Sequence, residues 1–381
     1  MTPTAVGPLG ERWPDVERIV VLRGGGLGDL LSALPAIEAL KAAYADAEIV
    51  VLCAPNNAAL LTGRPSPIDR AVGLPYARGV HGPNDGPGEA MPLNAFRRLV
   101  ADRPIDLGVQ LHGGGRWSNP FLLGLKPRWT VGTRTLDASP LTRWLPYRPY
   151  QHEVMRWLEV AGLAGAPVAS VTPRIEVTDA DLAKSQSVLP ESEMPTVNLH
   201  PGARDPRRRW PPEHFAALAE RCIDEGRRVA LIGTRAERRL LRDIAAKVSV
   251  LGGADGRLLL LDAMDMPTLA GVLARSDVLV GNDSGIRHLA QAVGTATVGI
   301  YWVGNASHAG PLGRARHRMF MSWTVHCPVC GQACTRTEMP RCGHDVSFVA
   351  DVAVDEVLNE VDELLDKGFP GLAGFPGIRD G

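Results

Sequence analysis

The chain has 381 residues, with 41 Lys and Arg against 42 Asp and Glu, and a formal net charge of −1. Single cores stop growing at roughly 250–300 residues, so two domains are expected, and the near-neutral balance argues against a general nucleic-acid or membrane-surface binder. Hydrophobic residues at 45%, charged residues at 22%, and 41 glycines with 31 prolines exclude a disordered or low-complexity chain.

The opening MTPTAVGPLGERWPDVERIV mixes acids, bases and prolines and holds no apolar stretch of secretory-signal length. No window approaches the roughly 20 apolar residues of a membrane helix, so a cytoplasmic protein without a transmembrane segment is expected. Six cysteines are too few for a disulfide scaffold and are expected to be reduced, yet four of them crowd between Cys327 and Cys342.

In chain order, Arg18–Leu22 is an apolar run suited to a buried parallel strand. It enters Arg23-Gly24-Gly25-Gly26-Leu27-Gly28-Asp29, and Leu30, Leu31, Leu34, Ile37 and Leu40 follow at helical spacing. Glu48–Leu52 is a second strand, residues 63–94 read as a long irregular loop, and Asp106–Leu111 is a strand running into His112-Gly113-Gly114-Gly115-Arg116. From Thr196–His200 onward strands and helices alternate. Helices are expected at 212–225, 236–247, 267–275 and 286–293, and strands at 228–232, 258–261, 278–281 and 297–301. This alternation predicts an α/β protein of doubly wound parallel sheets, with a hinge in the proline-framed segment 190–195. The expected domains are therefore 1–190, 191–350, and a terminal piece 351–381. That piece comprises an acidic amphipathic helix with Val354, Val357, Leu358, Val361, Leu364 and Leu365 on one stripe, then a loose tail from Gly368.

The glycine turn after the first strand is not a dinucleotide fingerprint. Counting from Gly24, the third glycine position is Asp29, and the second strand ends in Cys53 and Ala54 rather than an acid. A carboxylate at a helix start would repel a pyrophosphate there, and no Gly-Lys-Ser/Thr follows any glycine run. Asp29 is instead either a cap on the first helical turn or a general base at the carboxyl edge of a sheet.

Two further clusters suit a phosphate. Asp283-Ser284-Gly285, with His288 about one turn on, puts N–H and hydroxyl donors at a helix start. His200-Pro-Gly-Ala-Arg204-Asp-Pro-Arg207-Arg208-Arg209-Trp210-Pro211 gathers arginine forks ahead of a helix, and such forks suit a diphosphate. Both fall at the same edge of one predicted sheet.

These segments resemble glycosyltransferase family 9, the heptosyltransferases. The resemblance rests on Gly28-Asp29-Leu-Leu-Ser-Ala-Leu-Pro-Ala-Ile37, the His200–Pro211 stretch with Glu213-His-Phe215, and Gly281-Asn-Asp-Ser-Gly-Ile-Arg-His-Leu-Ala290. It implies the GT-B architecture, two facing Rossmann-like domains with the active site in the cleft between them. It also implies inverting transfer of a sugar, typically heptose, from a nucleotide diphosphate (ADP-heptose by family default) to an acceptor hydroxyl, without a required cofactor, in lipopolysaccharide or glycan biosynthesis. Carried over, Asp29 matches the catalytic base, and Asp283, Ser284, Gly285 and His288 match the donor-diphosphate motif. Arg208 stands where the family usually has lysine, and Glu237 matches loosely an acid that contacts the ribose. His112 and Arg116 lie where the family places acceptor contacts.

The cysteines Cys327, Cys330, Cys334 and Cys342 begin with a Cys-x2-Cys ligand spacing and are candidates for a structural metal; reduced thiols or a disulfide are the alternative. Two other functions stay open, a nucleotide-sugar epimerase of similar fold and a non-catalytic nucleotide-sugar binding protein.

Overall fold

The computed structural model describes residues 6–82, 91–248, 256–335 and 340–366. The expected tail from Gly368 lies outside the described residues. The chain divides into two compact units, Met1–Glu176 and Val177–Gly381.

In the first unit the strands are β1 (Arg18–Leu22), β2 (Glu48–Cys53), β3 (Arg70–Gly73), β4 (Leu107–Gln110), β5 (Trp129–Arg134) and β6 (Arg143–Pro146). They pair in parallel in the order β3-β2-β1-β4-β5-β6. Every residue of β1 is buried, which is why its sequence reads as a continuous apolar run rather than an alternation. Val20, Leu22, Val50, Leu52 and Val72 pack with Phe96 and Leu122 on one face. The expected loop over 63–94 contains β3, a four-residue edge strand with one buried position, which its short and polar sequence conceals.

The second unit repeats the plan with β7 (Thr196–His200), β8 (Arg228–Gly233), β9 (Leu258–Asp262), β10 (Val278–Asn282), β11 (Ala296–Trp302) and β12 (His317–Ser322). Its parallel order is β12-β11-β10-β7-β8-β9. In both sheets the order therefore reverses next to the first strand, between β1 and β4 and between β7 and β10. Loops leaving the carboxyl ends there open a crevice where α/β proteins bind ligands.

Two boundaries differ from the expectation. The helix Asp179–Gln186 belongs to the second unit, ahead of the 190–195 segment. Arg275, at the end of the helix Met266–Ala274, ties it there by donating to Ser185 Oγ (3.3 Å) and the Leu189 carbonyl (2.7 Å). The helix Val354–Asp366 is not a separate piece either. Its Val357, Leu358, Val361 and Leu364 complete the second unit's core with Phe215, Leu218 and Ile223 of the helix Pro212–Asp224. No helix among the described residues is long and apolar enough to cross a membrane.

Trp210 joins these parts. It is buried, its backbone N–H donates to Asn282 Oδ1 at 2.9 Å, and its indole N–H donates to the Val352 carbonyl at 2.9 Å. Trp210→Phe keeps the ring and strands that carbonyl, so the protein should lose about 1–2 kcal/mol in urea unfolding at neutral pH. An unchanged midpoint and slope would show that the indole bond contributes nothing.

Candidate functional site

The first unit's crevice is built around a buried arginine. Arg23 follows β1 and is only 3% exposed. Its Nε donates to the Asp29 carbonyl (2.7 Å), and its Nη2 reaches both Asp29 Oδ1 (3.2 Å) and Glu153 Oε2 (3.0 Å). Its guanidinium lies over the Trp157 ring, 4.9 Å from the centroid. Arg156, also buried, pairs with the other oxygen of Glu153. Two cations thus share Glu153, and one of them aims at Asp29.

Asp29 sits in the first turn of the helix Leu27–Ala43, and its Oδ2 accepts the Gly26 N–H at 2.7 Å. It therefore does the capping job open to an acid at that position, while its side chain remains 47% exposed. Gly25 is required beside it. Its φ is +88°, and a Cβ there would come within 2.5 Å of Asp29 Oδ2.

His112 follows β4 across the switch point. One ring nitrogen meets the Gly79 carbonyl at 3.1 Å, and burial, then the charge of Arg23, push its pKa down, with Asp29 pulling the other way. Arg116 is brought less close to this centre. It is solvent-exposed, pairs with Asp137 at 3.3 Å and lies beside the Trp117 ring. Ser118 and Asn119, next in the chain, turn inward as loop braces. Ser118 donates to the His112 carbonyl, and Asn119 donates to the carbonyls of Thr133 and Ser139.

The second unit's crevice brings together residues far apart in sequence. Because β7 lies beside β10, with Gly281 opposite His200, the two loops leaving those strands meet. Asn282 donates to the Pro201 carbonyl (2.8 Å), and Ser284 Oγ shares a hydrogen bond with His200 Nδ1 (3.0 Å). Ser284 is the N-cap of the helix Gly285–Ala292 and accepts the Arg287 N–H. The first N–H groups of that helix have no partner within it, which makes its start an anion-facing end.

Asp283 is the buried charge of this crevice, its side chain 5% exposed. Arg208 Nη1 lies 2.9 Å from its Oδ2 and His288 Nε2 lies 3.2 Å from its Oδ1. Arg287, itself buried, donates to His288 Nδ1. A guanidinium can only donate, so Nδ1 accepts and Nε2 carries the proton given to Asp283. Burial would raise the Asp283 carboxyl, but the His288 hydrogen bond and the charges of Arg208 and Arg287 outweigh it and hold it below its ordinary range. His288 was expected to point a donor at phosphate; both its ring nitrogens are instead engaged with Asp283 and Arg287.

The arginine run is not a solvated basic face. Arg207 forks onto Asp205 (2.6 Å at the shorter contact) and lies beside the Trp302 and Phe348 rings, and Arg209 donates to the Ala203 carbonyl. Arg208 alone of these three turns to the Asp283 loop. Glu237 comes to the same crevice from the loop after β8. Its Oε2 accepts from the Thr234 N–H (2.8 Å) and hydroxyl (2.9 Å) and lies 3.7 Å from His200 Nε2.

Three contributors carry no local signal in the sequence. Arg23 stands in the first glycine turn, but its role depends on Glu153, 130 residues later, and no local pattern links them. His200 opens a segment that the sequence marks for its arginines, and its place opposite Ser284 follows from strand order. Outside both crevices, the ligand atoms of Cys327, Cys330, Cys342 and His344 lie within 4.8 Å of one another. His344 takes the place expected for Cys334, whose thiol donates to the Gln332 carbonyl.

The sequence model of glycosyltransferase family 9 (heptosyltransferase) matches residues 121–336, more than half of the chain. Lipopolysaccharide heptosyltransferase 2 of Escherichia coli strain K12 is 24% identical over 364 residues, 91% of this chain and 98% of that protein. The solved structure of the E. coli ADP-heptose LPS heptosyltransferase II superposes with a TM-score of 0.69 at 19% identity, covering 92% of this chain and 99% of that one. A family 9 glycosyltransferase from Veillonella parvula gives 0.72 at 17% identity over 93% and 98%.

The Glu237 contacts have a pH signature. Burial would raise this carboxyl, but His200 and Thr234 hold it down to about 2 against an ordinary 4.5. Because the folded pKa is the lower one, the stabilisation is complete above about pH 4.5 and is lost as pH falls towards about 2. Urea midpoints across that interval should fall more gently in Glu237→Gln than in the native protein. Parallel falls in the two proteins would reject the assignment.

Proposed function

The chain belongs to glycosyltransferase family 9 and is a glycosyltransferase, and from that premise we propose that it moves heptose from ADP-heptose onto a hydroxyl of a lipopolysaccharide-type glycan. The donor and acceptor classes come from relatives named for ADP-heptose and lipopolysaccharide. The observation that carries the reading is the convergence, at the switch point of the second sheet, of Arg208, the Asp283-Ser284-Gly285 turn and a helix start. That combination of a fork, a hydroxyl and free N–H groups suits a diphosphate.

The transfer is a single displacement with inversion. Asp29 takes the proton of the acceptor hydroxyl while that oxygen forms its bond to the anomeric carbon. The bond from that carbon to the β-phosphate oxygen breaks, and ADP leaves with the electron pair. Arg208, Ser284 and the Gly285 N–H stabilise the charge that builds on the departing diphosphate, the larger electrostatic task. Asp283 and His288 set the position of Arg208, and Glu237 faces the ribose. His112 and, further out, Arg116 meet the acceptor. Arg23 and Gly26 hold the Asp29 carboxylate in one orientation, so the base needs little reorganisation when the acceptor arrives. No step passes through the cysteine–histidine group. The reaction is assigned to the cytoplasm, in keeping with six cysteines none of which is disulfide-bonded.

Asp29→Asn keeps the size and the cap while removing the base, so kcat should fall roughly 10²–10⁴-fold with ADP affinity unchanged. Titration with ADP alongside turnover of ADP-heptose and a deep-truncated lipopolysaccharide acceptor separates the two. Full turnover by the variant would sink the base assignment, and a native protein that binds no ADP would sink the donor.

A further inference from the structure

Residues 325–334 form a small knuckle. The His326–Ala333 bridge closes it, the Cys327 N–H donates to the Gln332 carbonyl, and the Gly331 N–H returns to the Cys327 carbonyl, both at 2.9 Å. Gly331 makes the turn with φ +72°, a conformation that favours glycine. This shape brings Cys327 and Cys330 to the same side. Cys342 and His344 approach from a later segment, with His344 Nδ1 3.7 Å from Cys327 Sγ. A tetrahedral ion with bonds of about 2.0–2.3 Å has ligand–ligand edges of roughly 3.5–3.8 Å; Cys327 and His344 already stand at that separation, and the other donors, within 4.8 Å, would close in by up to about 1 Å.

The donor set is three sulfurs and an imidazole, the pattern of a closed site for a borderline-soft ion. Cys327 and Cys342 are buried in the second unit's core. A disulfide between two of the cysteines would leave the convergence of the third cysteine and the histidine without a purpose.

The segment leaving this group runs directly to the arginine loop. Arg341 lies 3.3 Å from Asp205, the Ser347 hydroxyl donates to the Arg209 carbonyl at 2.7 Å, and the Phe348 N–H donates to the Arg207 carbonyl at 2.7 Å. These bonds bracket Arg208 on both sides. We propose that Cys327, Cys330, Cys342 and His344 bind one structural Zn²⁺ or Fe²⁺ ion, which anchors the 341–348 segment and through it holds the Arg208 loop in its phosphate-facing form. The anchoring half of this inference rests on the donor reading above; the metal half does not.

Untagged protein purified without chelator should carry about one equivalent of zinc or iron by elemental analysis, falling to under about a tenth in Cys330→Ser and His344→Ala. Absence of stoichiometric metal from the native chain after expression in zinc- and iron-supplemented medium, or a disulfide within the group by non-reducing peptide mapping, overturns the site. For the anchor, Ser347→Ala should keep its metal and bind ADP about two- to tenfold more weakly, the loss of one hydrogen bond. The metal-depleted variants should bind it more weakly still. Unchanged ADP affinity in Ser347→Ala overturns the anchor even where Cys330→Ser fails to fold. A native protein that carries the metal and binds no ADP refutes the donor reading and leaves the site standing.

Discussion

Every strand in both sheets runs parallel, and that constraint governs where chemistry can occur. With both faces of a sheet covered, only the strand ends remain for a ligand, and the carboxyl ends are the ones whose loops spread apart at a reversal of strand order. Each sheet has one such reversal, between β1 and β4 and between β7 and β10. Arg23, Asp29 and His112 leave the first; His200, Asp283 and Ser284 leave the second. Residues separated by more than eighty positions, such as His200 and Ser284, become neighbours because their strands are neighbours.

The two crevices treat buried charge in opposite senses. In the first, a buried cation, Arg23, is shared by two carboxylates, Asp29 and Glu153. In the second, a buried carboxylate, Asp283, is shared by Arg208 and His288, with Arg287 behind the histidine. A charge taken out of water is tolerated when paired and hydrogen-bonded, and the pairing fixes its partners' geometry. Orientation is what a transfer site needs from such groups, more than net stability.

Most inner strands were legible because burial leaves their sequences rich in apolar residues; β1 and β7 match the expected residues end to end. The edge strands β3, β6 and β12 were not, since Arg70–Gly73, Arg143–Pro146 and His317–Ser322 are only partly buried and carry charges or proline; the inner strand β5, Trp-Thr-Val-Gly-Thr-Arg, was missed as well, whereas the edge strand β9 was legible as a run of leucines. The motif residues were legible as a set, because Asp283-Ser284-Gly285 opens a helix in sequence as in structure. Their partners were not. Glu153 beneath Arg23, and the turn of His288 onto Asp283, depend on packing between elements that no local spacing encodes. The same holds for His344, which lacks the spacing of a second Cys-x2-Cys and enters the cysteine group only through the fold.

The pairing of the arginine run bears on how an anionic ligand comes and goes. Arg207 is matched by Asp205, Arg341 by Asp205 and Asp345, and Arg208 by Asp283. These three carboxylates offset part of the charge of Arg204, Arg207, Arg208, Arg209 and Arg341, so the cluster's field is weaker than its sequence suggests, and it fades beyond a Debye length of about 8 Å in physiological salt. For the proposed nucleotide diphosphate, binding at Arg208 would require an exchange of partners, with Asp283 giving up the guanidinium in part. Such an exchange acts at contact distance, so it bears on how fast a wrong anion leaves more than on how fast any anion arrives.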